Sequence, residues 1–279
     1  MGKIFTALGL MSGTSGDGVD ASIIQSDGNN SFKLIKDIYI EYDSEIYNNI
    51  HKLREKINFK IDLQKYSKDI LQLEKQITIF HAKIIKDLNE FNKIELIGFH
   101  GQTIYHNGEE KVSKQLGDGL LLSQLIKKEV VYNFRQNDIK NGGEGAPLTP
   151  IFHKLIASQY NFGFPVCILN IGGISNISFI ENSNGKLGVT SKDIGPGNCL
   201  IDNWVRKNSN KKYDKDGRLA AHGTVNEIIL EQGQELFANK PKRDNITYDI
   251  NDFDVSFVRG LTLSDGAATL TEFTAKVIS

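Results

Sequence analysis

Cysteine is almost absent: Cys167 and Cys199 stand far apart, with no CxxC pair and no metal-ligand spacing. That excludes a disulfide scaffold and a structural zinc ribbon. Both thiols sit in apolar stretches and are expected to be buried and inert in a reducing compartment. Charge of one sign is also missing. Lys and Arg number 33 against 34 Asp and Glu, for a formal net charge of -1. No overall field therefore draws the chain to nucleic acid or to an anionic membrane, and a phosphate group has to be gripped locally. No long hydrophobic run occurs. The opening MGKIFTALGLMSG has one lysine and a short apolar stretch broken by glycines, too short for a membrane span and unlike an export signal. The expectation is a cytoplasmic protein. Proline is scarce, at 5 in 279 residues, and no low-complexity linker interrupts the chain.

What is present reads as mixed α/β. Residues 3–11 form a buried strand, 12–18 a polar glycine-rich turn, 19–25 a second strand and 32–42 a third. Strand, turn, strand is a β-hairpin, not the strand–turn–helix of a P-loop or dinucleotide-binding unit. Apolar residues at 63, 66, 70, 73, 77, 80, 84, 88 and 91 step by three and four, which predicts one long helix over 62–91 with Asp62 as its N-cap. A short strand over 95–99, a polar turn at 100–102, a helix over 118–128 and a strand over 129–134 follow. Residues 138–150 read as a glycine-rich loop and 148–158 as a helix. A second hairpin spans 165–180, with its turn at 170–173. Later helices are expected over 198–206, 226–238 and from 261 onward, the last capped near Ser264 or Asp265. Residues 207–212 and 239–251 read as polar connections. Two glycine hairpins with helices between them suggest a duplicated core and a cleft between lobes.

Five segments carry chemistry. In GLMSGTSGDGVD, residues 9–20, Gly13, Gly16 and Gly18 alternate with Thr14, Ser15 and Asp17, followed by Val19 and Asp20. Glycines let backbone N–H groups approach a phosphate closely, and hydroxyls complete the cradle. An ordinary tight hairpin needs only one or two glycines, so this density points to phosphate. Asp17 and Asp20 fit a role through Mg²⁺ better than direct contact. In LNIGGISNIS, residues 169–178, Gly172 and Gly173 repeat the pattern. In KDIGPGNCLID, residues 192–202, Asp193 ends an extended segment, a tight turn follows and Asn198 can cap the next helix. Asp193 fits either a turn-forming residue or a general base beside a helix N-terminus. In NFRQNDIKNGGEGAPLTP, residues 133–150, Arg135 and Asp138 precede a loop able to close on a ligand, though a surface ion pair explains them equally well. In GFHGQTIYH, His100 and Gln102 read as a hydrogen-bonding turn under a pocket, because no third ligand falls at zinc spacing. His222 reads as structural.

Together these segments resemble the anhydro-N-acetylmuramic acid kinases, in order and across nearly the whole chain. The matching stretches are GLMSGTSGDGVDASI, GFHGQTIYH, FRQNDIKNGGEGAPLTPIFH, LNIGGISNIS, DIGPGNCLID, YDKDGRLAAHG and TLTEFTA. Gly16 stands where the family commonly has a larger apolar residue, and Asn133 where it usually has aspartate. The resemblance implies a two-lobed actin/hexokinase-like (ribonuclease H-like) α/β fold with a central cleft. Residues 1–134 would form the first lobe and 135–279 the second. It implies an ATP- and Mg²⁺-dependent enzyme that opens 1,6-anhydro-N-acetylmuramic acid with water and phosphorylates O6. Such an enzyme serves peptidoglycan recycling. By motif, Gly13–Asp20 would cradle ATP phosphates, Gly172 and Gly173 would approach them from the second lobe, Arg135 and Asp138 would orient the sugar, and Asp193 would be the catalytic base. No metal ligand set is assigned. The resemblance also implies a homodimer. Family members continue past the TLTEFTA helix with a strand, a GGG turn and a closing helix, so the expectation is a C-terminally truncated second lobe with an open sheet edge. An inactive remnant, or a sugar-binding module without phosphoryl transfer, is the alternative; an actin-like filament has no need of Asp193 or the 135–138 segment.

Overall fold

The computed structural model describes residues 2–239 and 247–279. The chain divides into two compact units, Met1–Phe164 and Pro165–Ser279, and the segment carrying Arg135 and Asp138 therefore lies in the first.

In the first unit β1 (Phe5–Ser12), β2 (Gly18–Ser26) and β3 (Phe32–Glu41) form an antiparallel meander. Three helices follow: α1 (Ser44–Lys56), α2 (Lys60–Lys65) and α3 (Ser67–Asp87). The chain then returns as β4 (Leu96–Asn107), parallel to β1, and turns back as β5 (Val112–Leu116). After α4 (Gly119–Ile126), strand β6 (Glu129–Tyr132) pairs parallel with the first half of β4. The sheet order is β3-β2-β1-β4-β5, with β6 on β4. Two short helices, α5 (Phe134–Lys140) and α6 (Pro150–Gln159), complete the unit. Its core packs Leu8, Leu10, Val19 and Ile23 of the sheet against Ile50 of α1 and Ile77 of α3, all buried.

The second unit repeats the meander as β7 (Val166–Ile171), β8 (Ile174–Ser183) and β9 (Lys186–Pro196). Helices α7 (Cys199–Asn208), α8 (Arg218–His222), α9 (Glu227–Ala238) and α10 (Leu263–Ile278) follow. Trp204 of α7 anchors their core: its indole donates to Leu263 O at 3.0 Å and lies against Gly266, where a Cβ would come within 2.3 Å of the ring. Among the described residues β7 pairs only with β8, and its Leu169 and Ile171 remain 43% and 48% exposed.

Several local expectations need correction. The long helix over 62–91 is broken at Tyr66, and Asp62 is not its cap. Its carboxylate instead accepts the N–H groups of Asn58 and Phe59, at 3.1 and 2.9 Å, inside the first turn of α2. Helix α1, capped by Asp43 accepting Ile46 N–H, carries no expectation from the sequence because its apolar face is only Ile46, Tyr47, Ile50 and Leu53. The expected strand–turn–strand at 95–106 is one 12-residue strand with an irregularity at its middle. Gly101 sits there with φ +73, and a Cβ on it would lie 2.3 Å from Leu116 O. Asp138 belongs to α5, so the glycine-rich loop begins at residue 141. The start of α10 lies where expected: Thr262 is its N-cap, its hydroxyl accepting Asp265 N–H at 3.1 Å, beside Ser264 and Asp265. Asn198 holds the N-cap position of α7 without a capping side-chain bond. Cys167 is exposed rather than buried, because it faces outward from the edge strand; burial pushes the half-buried Cys199 thiol up to about 12. Most of the connection expected over 239–251 lies outside the described residues.

His81 of α3 is fully buried among the rings of Tyr42, Phe80 and Phe99, with Nδ1 2.8 Å from Ile77 O. Burial holds its pKa down at about 4, so the folded state keeps it neutral while the unfolded chain protonates near pH 6.5. Its contribution is complete above pH 6.5 and is lost as pH falls toward 4. The expected loss between pH 7 and 4.5 is about 2–3 kcal/mol from this group alone. Denaturant midpoints measured across that range should fall for the native sequence and fall less for His81→Leu; parallel pH profiles would refute the assignment. Gly197 gives a second test. A Cβ there would stand 2.1 Å from Gly172 O, whereas one on Gly163 meets nothing. Gly197→Ala should therefore cost roughly 1–3 kcal/mol and Gly163→Ala almost nothing. Equal denaturant midpoints would show that the close approach is dispensable.

Candidate active site

The β1–β2 turn is built so that its carbonyl oxygens face the protein. Gly13 O accepts Gly16 N–H at 3.1 Å and Gln102 Nε2 at 2.8 Å. Thr14 O accepts Arg54 Nη1, and Asp17 O accepts Tyr42 N–H at 2.9 Å. Gln102 is wholly buried, and its Oε1 has no partner among the described residues. Ser15 Oγ donates to Asp17 Oδ1 at 2.6 Å, which stiffens the turn tip. Gly16 is in the left-handed region at φ +67, a conformation that favours glycine. Val19 is wholly buried, so only its backbone can meet a ligand. Asp20 sits on β2 opposite Met11, and its carboxyl is pushed up by burial and by the charges of Asp17 and Asp37.

Strand β4 joins this turn to the 135–145 segment. Its register against β1 slips between Leu10–Phe99 and Ser12–Gln102, leaving an extra residue at the Gly101 bulge. Bulges re-aim side chains and are frequent beside active sites. His100 and Gln102 serve two different partners as a result. Arg135 Nε donates to His100 Nε2 at 2.9 Å, while His100 Nδ1 lies 2.8 Å from Gly101 O. This arrangement calls for the neutral tautomer with its proton on Nδ1. Burial and the Arg135 charge hold the His100 pKa down at about 4, which keeps that tautomer. Arg135 and Asp138, one helical turn apart on α5, grip the same glycine from both sides. Arg135 Nη1 donates to Gly145 O, and Gly145 N–H donates to Asp138 Oδ2, each at 2.8 Å. A Cβ on Gly143 would fall 2.1 Å from the Asp138 carboxylate, so the loop wraps that group closely. Glu144 beside it has its carboxyl pushed up by burial and by the Asp138 charge.

In the second unit the β7–β8 turn and the start of α7 satisfy one another. Gly173 O accepts Gly197 N–H at 2.9 Å and Cys199 N–H at 3.2 Å, and Gly172 O accepts Asn198 N–H at 2.8 Å. The first N–H groups of a helix lack internal partners; here the glycine turn supplies them. Asp193 does not end its strand. It lies within β9 opposite Asn176, beside a second bulge where Ser175 pairs with Gly195 and Ile194 is left over. Asp193 Oδ2 accepts Tyr248 N–H at 2.9 Å, and Asn176 Oδ1 is buried with no partner among the described residues. The structure thus gathers Gly13–Asp20, His100–Gln102, Arg135 and Asp138 in one unit, and Gly172, Gly173 and Asp193 in the other.

The glycines fall into two kinds. Gly16 is favoured by its positive φ, Gly18 is required because a Cβ would strike Ile40 O at 2.5 Å, and Gly197 by its contact with Gly172 O. Gly13 and Gly172 are required by neither: their φ values are not positive, and their nearest contacts for a Cβ are 3.5 and 3.7 Å. Sequence reading missed Arg54, Asn176 and the Tyr248 N–H. Only Arg54 left a signal, as a charge four residues after Ile50 and seven after Tyr47 on the buried face of α1.

A family model described as anhydro-N-acetylmuramic acid kinase matches residues 5–279. A protein of that name from Pelagibacter ubique is 54% identical over 100% of this chain and 74% of its own length. Another from Gluconobacter oxydans is 37% identical, covering 98% of this chain and 76% of its own, and one from Agrobacterium fabrum is 35% identical, covering 100% and 75%. The chain thus spans about three-quarters of these relatives. Its mixed α/β architecture is that of an actin/hexokinase-like sugar kinase, and the chain belongs to the anhydro-N-acetylmuramic acid kinase family.

Proposed function

We propose that this chain is an ATP-dependent kinase that opens 1,6-anhydro-N-acetylmuramic acid with water and leaves the γ-phosphate on O6. The product is N-acetylmuramic acid 6-phosphate, and the setting is cytoplasmic peptidoglycan recycling. The observation that carries the reading is the pair of glycines, Gly13 and Gly172, that the fold itself does not need. A missing side chain that no protein atom would oppose leaves room for something else to come close to the backbone. At Gly13 the carbonyls are already bound inward, which suits the neighbouring N–H groups to an anionic ligand such as phosphate.

In this reading Gly13–Asp20 and Gly172–Gly173 hold the phosphates. Arg135 and Asp138 orient the sugar through the loop they organise, with His100 fixing the guanidinium. Asp193 takes a proton from water as the water oxygen bonds to the anomeric carbon and the bridge C–O bond breaks. The released O6 then accepts the phosphoryl group, and ADP leaves. The Tyr248 N–H bond to Oδ2 aims the Asp193 carboxylate. No three His, Cys, Asp or Glu side chains gather as a metal site among the described residues. Mg²⁺ does not need such a cluster, because it keeps waters and takes one or two carboxylates plus phosphate oxygens. Asp17 and Asp20 are the carboxylates this reading gives it: burial and the charges of Asp17 and Asp37 push the Asp20 carboxyl up, and a cation would relieve that crowding. When bound, the ion neutralises charge on the transferring phosphoryl group.

Two measurements test the assignment. Gly13→Ala and Gly172→Ala should keep the wild-type denaturant midpoint yet raise KM for ATP about tenfold or more, ~1.4 kcal/mol of binding. Unchanged KM in both would remove the argument from the spare glycines. Asp193→Asn, which keeps an acceptor for Tyr248 N–H, should lower kcat by about 10²–10⁴-fold with little change in either KM. Near-wild-type turnover in that variant would remove Asp193 as the base.

A further inference from the structure

We propose that Arg54 is the positioning residue of the nucleotide turn, acting on the nucleotide through Thr14 rather than by contact. The inference rests on reading the Gly13–Gly18 turn as the nucleotide site. Arg54 lies on α1, on the face that carries Tyr47, Ile50 and Leu53 into the core. Its guanidinium spans two backbone carbonyls, one in the β1–β2 turn and one on β4. Nη1 donates to Thr14 O, while Nε and Nη2 both donate to Thr103 O, at 3.2 and 2.5 Å. The fork therefore ties the tip of the β1–β2 turn to the middle of β4.

Three features make this a positioning device rather than general packing. First, it acts on the peptide whose orientation matters. A peptide plane is rigid, so holding Thr14 O toward α1 sends the N–H of Ser15 to the opposite side. Second, the approach is reserved by sequence. Gly16 packs directly on α1, and a Cβ there would lie 3.0 Å from Ile50 Cγ2 and 3.3 Å from Arg54 Nη1. A side chain at 16 would crowd the guanidinium, and glycine leaves it room. Third, the neighbouring carbonyl is held in the same sense by a separate residue, since Gln102 Nε2 takes Gly13 O. Gln102 and Thr103 are adjacent on β4, so one stretch of strand fixes both peptides, one directly and one through Arg54. The guanidinium also places a positive charge behind a turn that carries Asp17. A lysine has the charge but not the planar fork, and a single ammonium reaches two separated carbonyls poorly.

The experiment uses the full chain as wild type, Arg54→Lys and Arg54→Met, each checked by circular dichroism and thermal melting. Initial rates are measured against ATP and against 1,6-anhydro-N-acetylmuramic acid separately, and ADP affinity by titration calorimetry. The expected result is a rise of about tenfold or more in KM for ATP and Kd for ADP in Arg54→Met. KM for the sugar should stay within about twofold, and Arg54→Lys should recover only part of the nucleotide loss. A purely structural arginine would lower the melting temperature and leave the nucleotide constants of the folded fraction unchanged, and that result overturns the proposal. If Arg54→Met melts below the assay temperature, Arg54→Lys carries the comparison, and wild-type nucleotide constants there also overturn it. A wild type that neither binds ADP nor transfers phosphate overturns the nucleotide reading, and the role of Arg54 falls with it. A wild type that does both, beside an Arg54→Met with unchanged constants, overturns only the role of Arg54.

Discussion

A turn that offers its N–H groups to a ligand must first dispose of its carbonyl oxygens, because each peptide carries both and neither tolerates burial without a partner. Both glycine turns of this protein meet that condition, by different means. At the β7–β8 turn the oxygens of Gly172 and Gly173 take the N–H groups of Gly197, Asn198 and Cys199, so a turn and a helix start cancel each other's unsatisfied groups. At the β1–β2 turn the oxygens of Gly13 and Thr14 are taken by side chains, Gln102 from β4 and Arg54 from α1. The positions of α7, of α1 and of the β4 bulge all follow from where those oxygens must be met.

The same constraint explains why glycine recurs in these segments. Backbone meeting backbone needs room, and Gly197 against Gly172 O or Gly18 against Ile40 O provides it. Such glycines belong to the fold. Gly13 and Gly172 have no such neighbour, and within one motif the two kinds stand three to five residues apart in the first turn. A count of glycines in GTSGDG cannot separate them; only the surrounding atoms can.

The strands, most helices and the chemistry-bearing segments were legible in the sequence because their signals are local. Apolar stretches bounded by a glycine-rich turn mark β1 and β2, and steps of three and four mark α3. Where the reading failed, a longer-range or finer term decided. Asp62 looks like a cap by spacing, but it sits inside the first turn of α2 and reaches back to the N–H groups of Asn58 and Phe59. His100–Gln102 looks like a turn by composition, yet pairing with β1 and β5 on either side of Gly101 keeps it a strand. Cys167 looks buried by its neighbours in sequence, but it lies on an edge strand that pairs on one side among the described residues. Arg54 was illegible in role because its partners are two carbonyls, and a carbonyl has no letter in the sequence.

The β1–β2 turn and the loop held by Arg135 and Asp138 share one strand. His100 holds Arg135, and Arg135 with Asp138 holds Gly145; Gln102, two residues on, holds Gly13. Between them stands Gly101, whose positive φ turns neighbouring side chains to partners on different elements. An ordinary pleat would put residues 100 and 102 on the same face. The bulge thus lets one strand serve the β1–β2 turn and the 141–145 loop at once. It is also why His100 must stay neutral: a proton on Nε2 would remove the acceptor that Arg135 uses and set two positive charges 2.9 Å apart. Burial, by holding that pKa down at about 4, keeps the arrangement intact at neutral pH.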